Sequence, residues 1–173
     1  PLRRLGAQRA GGGELLRMSG NDRYFALLQS LAASGVRFAT FANAGLLLRH
    51  AELRERYALR DADVLLAPDQ LEAFAAWARG RGGTVTTWSE PFEPGMNVRG
   101  RFYLRAKVDG LQLDATYETF LDLEGALREA TSCDGVPTCS DLVIWRAKVN
   151  KDRDAAVSFA NAMGLALCPD LIA

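Results

Sequence analysis

The sequence predicts an α+β domain: a small β-sheet flanked by helices, followed by a C-terminal helical portion. Three observations lead there. Arg101–Val108 and Leu111–Glu118 carry strand alternation on either side of Asp109-Gly110, the dipeptide that favours a two-residue hairpin turn. Asp61–Leu66 is a short apolar strand pattern between two segments of helical spacing. Past Glu118 the pattern becomes helical.

The elements follow in order. Residues 1–18 hold four arginines and Gly11-Gly12-Gly13. They are expected to be a leader outside the domain, disordered or foreign to it, with a basic arm touching a partner as the other reading. The core is expected over 19–120. Asn21 or Asp22 can cap a helix through Tyr24, Phe25, Leu27, Leu28 and Leu31, with Gly35 as its stop. Val36–Phe41 reads as a strand. Asn43-Ala44-Gly45 then turns the chain into a helix from Leu46 to about Tyr57. A small-residue turn opening a helix presents free N–H groups and the positive dipole end, a seat for phosphate, though any strand-to-helix turn also needs small residues. Pro68 starts a helix to about Arg79, with Leu71, Phe74, Ala75 and Trp77 on its apolar side. Thr84–Trp88 is a strand, and Ser89–Gly100, with two prolines and two glycines, is a loop long enough to act as a lid.

Counting outward from the hairpin turn pairs Val108 with Leu111, Lys107 with Gln112, and Arg105 with Asp114. Leu104, Ala106 and Val108 then share a face with Leu111, Leu113 and Ala115, and Asp114 lies on the other face beside Arg105 and Lys107. Those cations either pair with Asp114 across the strands or border an anion site that contains it. The C-terminal portion, 121–173, is expected to pack helices at Asp122–Ala130, Ser140–Val149 and Asp152–Met163 on the core, with Thr131–Cys139 as a loop.

Asp61 and Asp63 need a reason of their own. On a strand they project from one face ~6–7 Å apart and repel by roughly 2–3 kcal/mol at an effective dielectric of ~20. A hard divalent cation such as Mg²⁺, shared with substrate phosphates, is the usual reason. Composition narrows the partners. Lys plus Arg number 21 and Asp plus Glu 21, so nothing favours a long nucleic acid held by backbone charge. No run of 18 apolar residues exists to span a membrane. Three cysteines, an odd number, suit a reducing cytoplasm. Cys133 and Cys139 lack metal spacing, and His50, the sole histidine, cannot build a His-based cluster and reads as a packed or surface residue.

In this order the parts resemble the nucleotidyltransferase superfamily related to DNA polymerase beta. The similarity is to its small bacterial branch, which includes minimal nucleotidyltransferases, abortive-infection-type enzymes and antibiotic adenylyltransferases. The matching residues are Ala44-Gly45 opening a helix, Asp61 and Asp63 on the next strand ahead of Pro68, Asp114 in Leu113-Asp114-Ala115, and the late basic stretch Lys148–Asp154. The resemblance spans about 36–163. It implies a small mixed β-sheet and a cytoplasmic enzyme that moves a nucleoside monophosphate from an NTP, ATP by expectation, to a hydroxyl of a small molecule or protein. It also implies that Asp61, Asp63 and Asp114 are catalytic and hold Mg²⁺ or Mn²⁺. Nucleotide would be bound by Asn43, Ala44, Gly45, Arg105, Lys107, Lys148 and Lys151. Ala44 replaces a glycine of the family turn, where its methyl would crowd a phosphate, and Tyr57, Leu59 and Arg60 replace the usual basic and hydroxyl residues before the acids. Two alternatives follow: a weakened nucleotidyltransferase-fold binding module, or a toxin–antitoxin component modifying protein or RNA.

Overall fold

Two Asp-Gly turns organise the sheet. The computed structural model describes residues 19–90, 101–118 and 122–167. The expected leader therefore lies outside the described residues, as does the expected lid over 91–100, while Ser89 and Glu90 close a strand. At Asp109-Gly110 both residues have positive φ (52° and 77°), the geometry that lets a two-residue turn match strand twist. Around it β4 (Arg101–Val108) and β5 (Leu111–Glu118) pair in the expected register, Arg105 opposite Asp114 and Val108 opposite Leu111.

The second turn corrects the sequence reading. Thr131–Cys139, expected as a loop, is a hairpin of β6 (Thr131–Cys133) and β7 (Val136–Thr138). Asp134 and Gly135 at its tip have φ of 50° and 78°, repeating the first turn. The C-terminal segment thus adds two strands to the sheet as well as helices. Short strands with a proline, Pro137, carry too little alternation to stand out, but the Asp-Gly signal was present.

The seven strands run β3-β4-β5-β2-β1-β7-β6, with β3 at Thr84–Glu90, β2 at Ala62–Leu66 and β1 at Phe38–Phe41. The sheet is mixed: β2 pairs parallel with β5 and β1 parallel with β7, while the other neighbours are antiparallel. One face presents Val64, Leu66, Leu113, Ala115, Leu104 and Ala106, all buried, to the core. Phe74 of α3 (Leu71–Gly80) and Leu28 and Leu31 of α1 (Gly20–Ala32) are fully buried in the same cluster.

Helix limits moved where capping chemistry overrode spacing. Ser19, not Asn21 or Asp22, caps α1, and Asp22 returns the bond as a capping box. Asn21 is inside the helix and buried, donating to the carbonyls of Arg54 (2.8 Å) and Tyr57 (2.7 Å) and accepting from the Leu59 amide (2.8 Å). Tyr24 donates to the Arg60 carbonyl at 2.5 Å. Together these bonds fix the segment that leads into Asp61. Helix α2 starts at Ala42, not Leu46, and ends at Arg49, followed by a 3₁₀ turn at Ala51–Leu53. Ala42, at φ 53°, makes the sharp junction from β1. Pro68 opens a 3₁₀ turn ahead of α3. The remaining helices are α4 (Leu123–Arg128), α5 (Asp141–Lys151) and α6 (Arg153–Met163).

Candidate functional site

A row of charge crosses three strands. Asp63 of β2 is the register partner of Asp114 of β5, which is the partner of Arg105 of β4. Direct partners on adjacent strands share a face and lie about 4.8 Å apart along the hydrogen-bonding direction. The sheet therefore brings the two carboxylates, 51 residues apart in the sequence, side by side. Asp61 stands two residues ahead of Asp63, just before β2, and is half-buried.

The far end of the row is closed. The Arg105 guanidinium forks onto Asp114, Nε to Oδ1 at 2.8 Å and Nη2 to Oδ2 at 2.7 Å. Gln112 Nε2 adds a third donor to Oδ2 at 3.2 Å. The Asp114 side chain is only 7% exposed, so this pair is far less screened than a surface ion pair. Of the two readings left open by the sequence, the cross-strand pair is the one formed. Lys107 lies opposite Gln112, exposed, nearer the hairpin turn, and it does not line the cleft described below.

That cleft, of about 390 Å³, opens at the start of α2 and is lined by Asn43, Tyr57, Lys148, Lys151, Phe159 and neighbouring residues of α6. Lys148 and Lys151 reach it together because they are three residues apart on α5. Lys148 Nζ donates to Asn43 Oδ1 at 2.5 Å and sits 4.5 Å from the centre of the Phe159 ring. An ammonium can only donate, so Asn43 must turn its oxygen to Lys148; its Nδ2 then donates to the Tyr57 hydroxyl at 2.9 Å. Burial pushes the Lys148 ammonium down to about 8, with nearby Lys151 adding to the shift and the Asp63 carboxylate opposing it. The Tyr57 phenol is raised, first by burial and then by Asp61 and Asp63. Lys148 and Tyr57 thus both sense the acids, which links the cleft to the charge row.

The start of α2 has no side-chain cap, so its leading N–H groups depend on backbone, solvent or ligand. Gly45 does not open toward a ligand. A Cβ there would lie 2.9 Å from the Thr40 carbonyl oxygen and 3.1 Å from Ile144 Cδ1, so this glycine lets α2 pack on β1 and α5. The Ala44 side chain is buried in the core.

Tyr57 and Phe159 are site residues that sequence reasoning did not pick. Tyr57 precedes Asp61 by four residues and gave a weak signal. Phe159 gave none, because its place depends on how α6 folds back over α5.

The other candidates are structural. His50 contacts Asp141 (3.1 Å) and Glu52 (3.4 Å) near the surface. Buried Cys139 has its thiol pushed up to about 12 and is inert as a nucleophile. A larger cavity of about 830 Å³ beside the start of α1 is lined by Arg54 and Arg56, both already donating to backbone carbonyls. Among the described residues, no three His, Cys, Asp or Glu side chains are placed to hold a metal ion together, and no helix is long and apolar enough to cross a membrane.

No family model matches the chain, and no curated protein matches it. Among solved structures it is similar to the crystal structure of a "putative nucleotidyltransferase" from Thermotoga maritima. The TM-score is 0.56 and the identity 10%, over 86% of this chain and 94% of that one. At that identity the likeness establishes the fold: an α+β mixed sheet of nucleotidyltransferase type.

Proposed function

We propose that this chain, with its nucleotidyltransferase-like fold, transfers a nucleoside monophosphate from an NTP, ATP first, to a hydroxyl of a small molecule or protein. The observation that carries the reading is the pairing of Asp63 with Asp114 on adjacent parallel strands, next to a cleft holding two lysines. Asp61 and Asp63 are hard oxygen donors suited to one Mg²⁺ or Mn²⁺, which takes one or two carboxylates plus substrate phosphates. When bound, that ion would offset charge on the α-phosphate and orient it.

The protein's own groups account for the rest. The N–H groups at the start of α2, around Asn43, Ala44 and Gly45, would receive the β- and γ-phosphates. Lys148 and Lys151 would neutralise the leaving pyrophosphate. The acceptor oxygen forms a bond to the α-phosphorus, and the bridging bond to the β-phosphate breaks with its electron pair leaving on pyrophosphate. Asp114 keeps one of about four lone-pair positions clear of its three donors, enough to orient the incoming hydroxyl and take its proton.

The test is thermal unfolding with a nonhydrolysable NTP and Mn²⁺. At 100 times Kd such a ligand stabilises the fold by ~2.7 kcal/mol, a rise of roughly 5–10 °C. The rise should vanish in Asp63→Asn, and radiolabelled α-phosphate should move onto an acceptor only with the wild-type chain. Nucleotide binding without transfer to any hydroxyl acceptor would favour the second reading, a nucleotide-binding module without turnover, to which the arginine held on Asp114 lends support. No metal-dependent binding at all would end both.

A further inference from the structure

We infer that the Tyr57 hydroxyl is a ligand-reading donor of the cleft, turned by Lys148 and Asn43 toward a phosphate oxygen of the substrate. The inference rests on the nucleotidyl-transfer reading and adds to it a residue that holds the phosphates.

Direction is set at Lys148. Its ammonium has hydrogens to give and no lone pair, so the bond to Asn43 at 2.5 Å fixes Oδ1 as the acceptor. The amide has only Nδ2 for its other neighbour, and that nitrogen donates to the Tyr57 oxygen at 2.9 Å. A phenol that accepts there must send its own hydrogen elsewhere, and among the described residues no acceptor takes it. Tyr57, Asn43, Lys148 and Lys151 line one cleft, so that hydrogen is left for whatever fills it.

The donor is also held in place. The Tyr57 amide donates to the Leu53 carbonyl (3.1 Å), and its carbonyl accepts from Asn21 (2.7 Å). Its ring meets Phe159 edge to face, 5.6 Å between centres and 89° between planes. A group ordered before the ligand arrives costs little to order on binding. The ligand that suits it is an anion. Lys148, with hydrogens to spare, and Lys151 stand beside the hydroxyl, and two cations with a neutral donor match the oxygens of a phosphate chain. Burial, then the Asp61 and Asp63 carboxylates, hold the phenol above its ordinary value, so it stays a donor at neutral pH.

The experiment is isothermal titration of the full chain, in one Mg²⁺ buffer, with inorganic pyrophosphate and with a nonhydrolysable NTP. Tyr57→Phe keeps the ring against Phe159 and should weaken both ligands alike, by about tenfold. Asn43→Asp supplies the readout that a merely structural tyrosine would not move. A carboxylate accepts from both neighbours, so it would draw the Tyr57 hydrogen out of the cleft. Adding Tyr57→Phe to Asn43→Asp should then cost nothing further, a coupling equal to the whole tenfold. Should Asn43→Asp not fold, Tyr57→Phe with the two ligands decides alone.

Unchanged affinity in Tyr57→Phe, a loss for the NTP but not for pyrophosphate, or a tenfold loss that persists in the Asn43→Asp background would each overturn the inference. All three leave nucleotidyl transfer standing. A wild-type chain that takes up neither ligand would overturn both.

Discussion

Replacing Lys148 by methionine should make the protein more stable and less able to bind nucleotide. The stability side follows from burial. The Lys148 ammonium titrates at about 8 against an ordinary 10.5, which disfavours its charged form by roughly 3 kcal/mol in the folded state at neutral pH. Methionine keeps an unbranched stem beside the Phe159 ring and carries no charge to desolvate. Against that gain stand the lost bond to Asn43, about 1 kcal/mol, and the lost contact with the ring face, about 0.5–1 kcal/mol. The net expectation is a gain on the order of 1 kcal/mol, or about 2–4 °C in Tm for a chain of this size.

The sign with pH is fixed by the same shift. Between pH 8 and 10.5 the unfolded chain binds the lysine proton that the folded chain has released, so wild-type stability from this group rises with pH in that window. The Lys148→Met advantage should therefore be full below pH 8 and gone by about pH 9, because the cost of the buried charge falls by about 1.4 kcal/mol per pH unit above 8. Scanning calorimetry from pH 6.5 to 10.5, with and without NTP and Mn²⁺, reads both effects. A Lys148→Met protein that melts several degrees lower at pH 7, or that keeps its nucleotide-induced shift, would refute the idea that this lysine is held at a cost for the sake of an anion.

Further expectations concern the turns and the helix junction. Gly45→Ala should cost about 1–3 kcal/mol, because its new methyl meets the Thr40 backbone, which cannot step aside; denaturant melts measure this. Ala44→Gly should lower stability by about 1 kcal/mol and leave NTP affinity unchanged; tighter binding in isothermal titration would mean that the buried methyl does obstruct the phosphates. Gly135→Ala, at φ 78°, should destabilise the β6–β7 hairpin by about 1 kcal/mol, seen as faster amide exchange there.

What the sequence determined by itself is everything governed by short-range rules. Asp109-Gly110 demands a two-residue turn, and once that turn is fixed, counting outward sets Arg105 against Asp114 with no freedom left. The period of two put Leu113 and Ala115 inside and Asp114 on the opposite face for the same reason. The Asp134-Gly135 hairpin was within reach of that logic and was missed because its strands are three residues long.

Tertiary structure decided the rest, because a strand's own pattern does not name its neighbour. Only the parallel pairing of β2 with β5 sets Asp63 beside Asp114. Only the fold of α5 and α6 over α2 carries Lys148 to Asn43 and Phe159 to Lys148 across more than 100 residues of chain in the first case. Whether Arg105 pairs with Asp114 across the strands was open in the sequence, and the side-chain geometry shows that it does: the fork of Arg105 matches the carboxylate opposite it, and the low exposure of that carboxylate keeps the pair together.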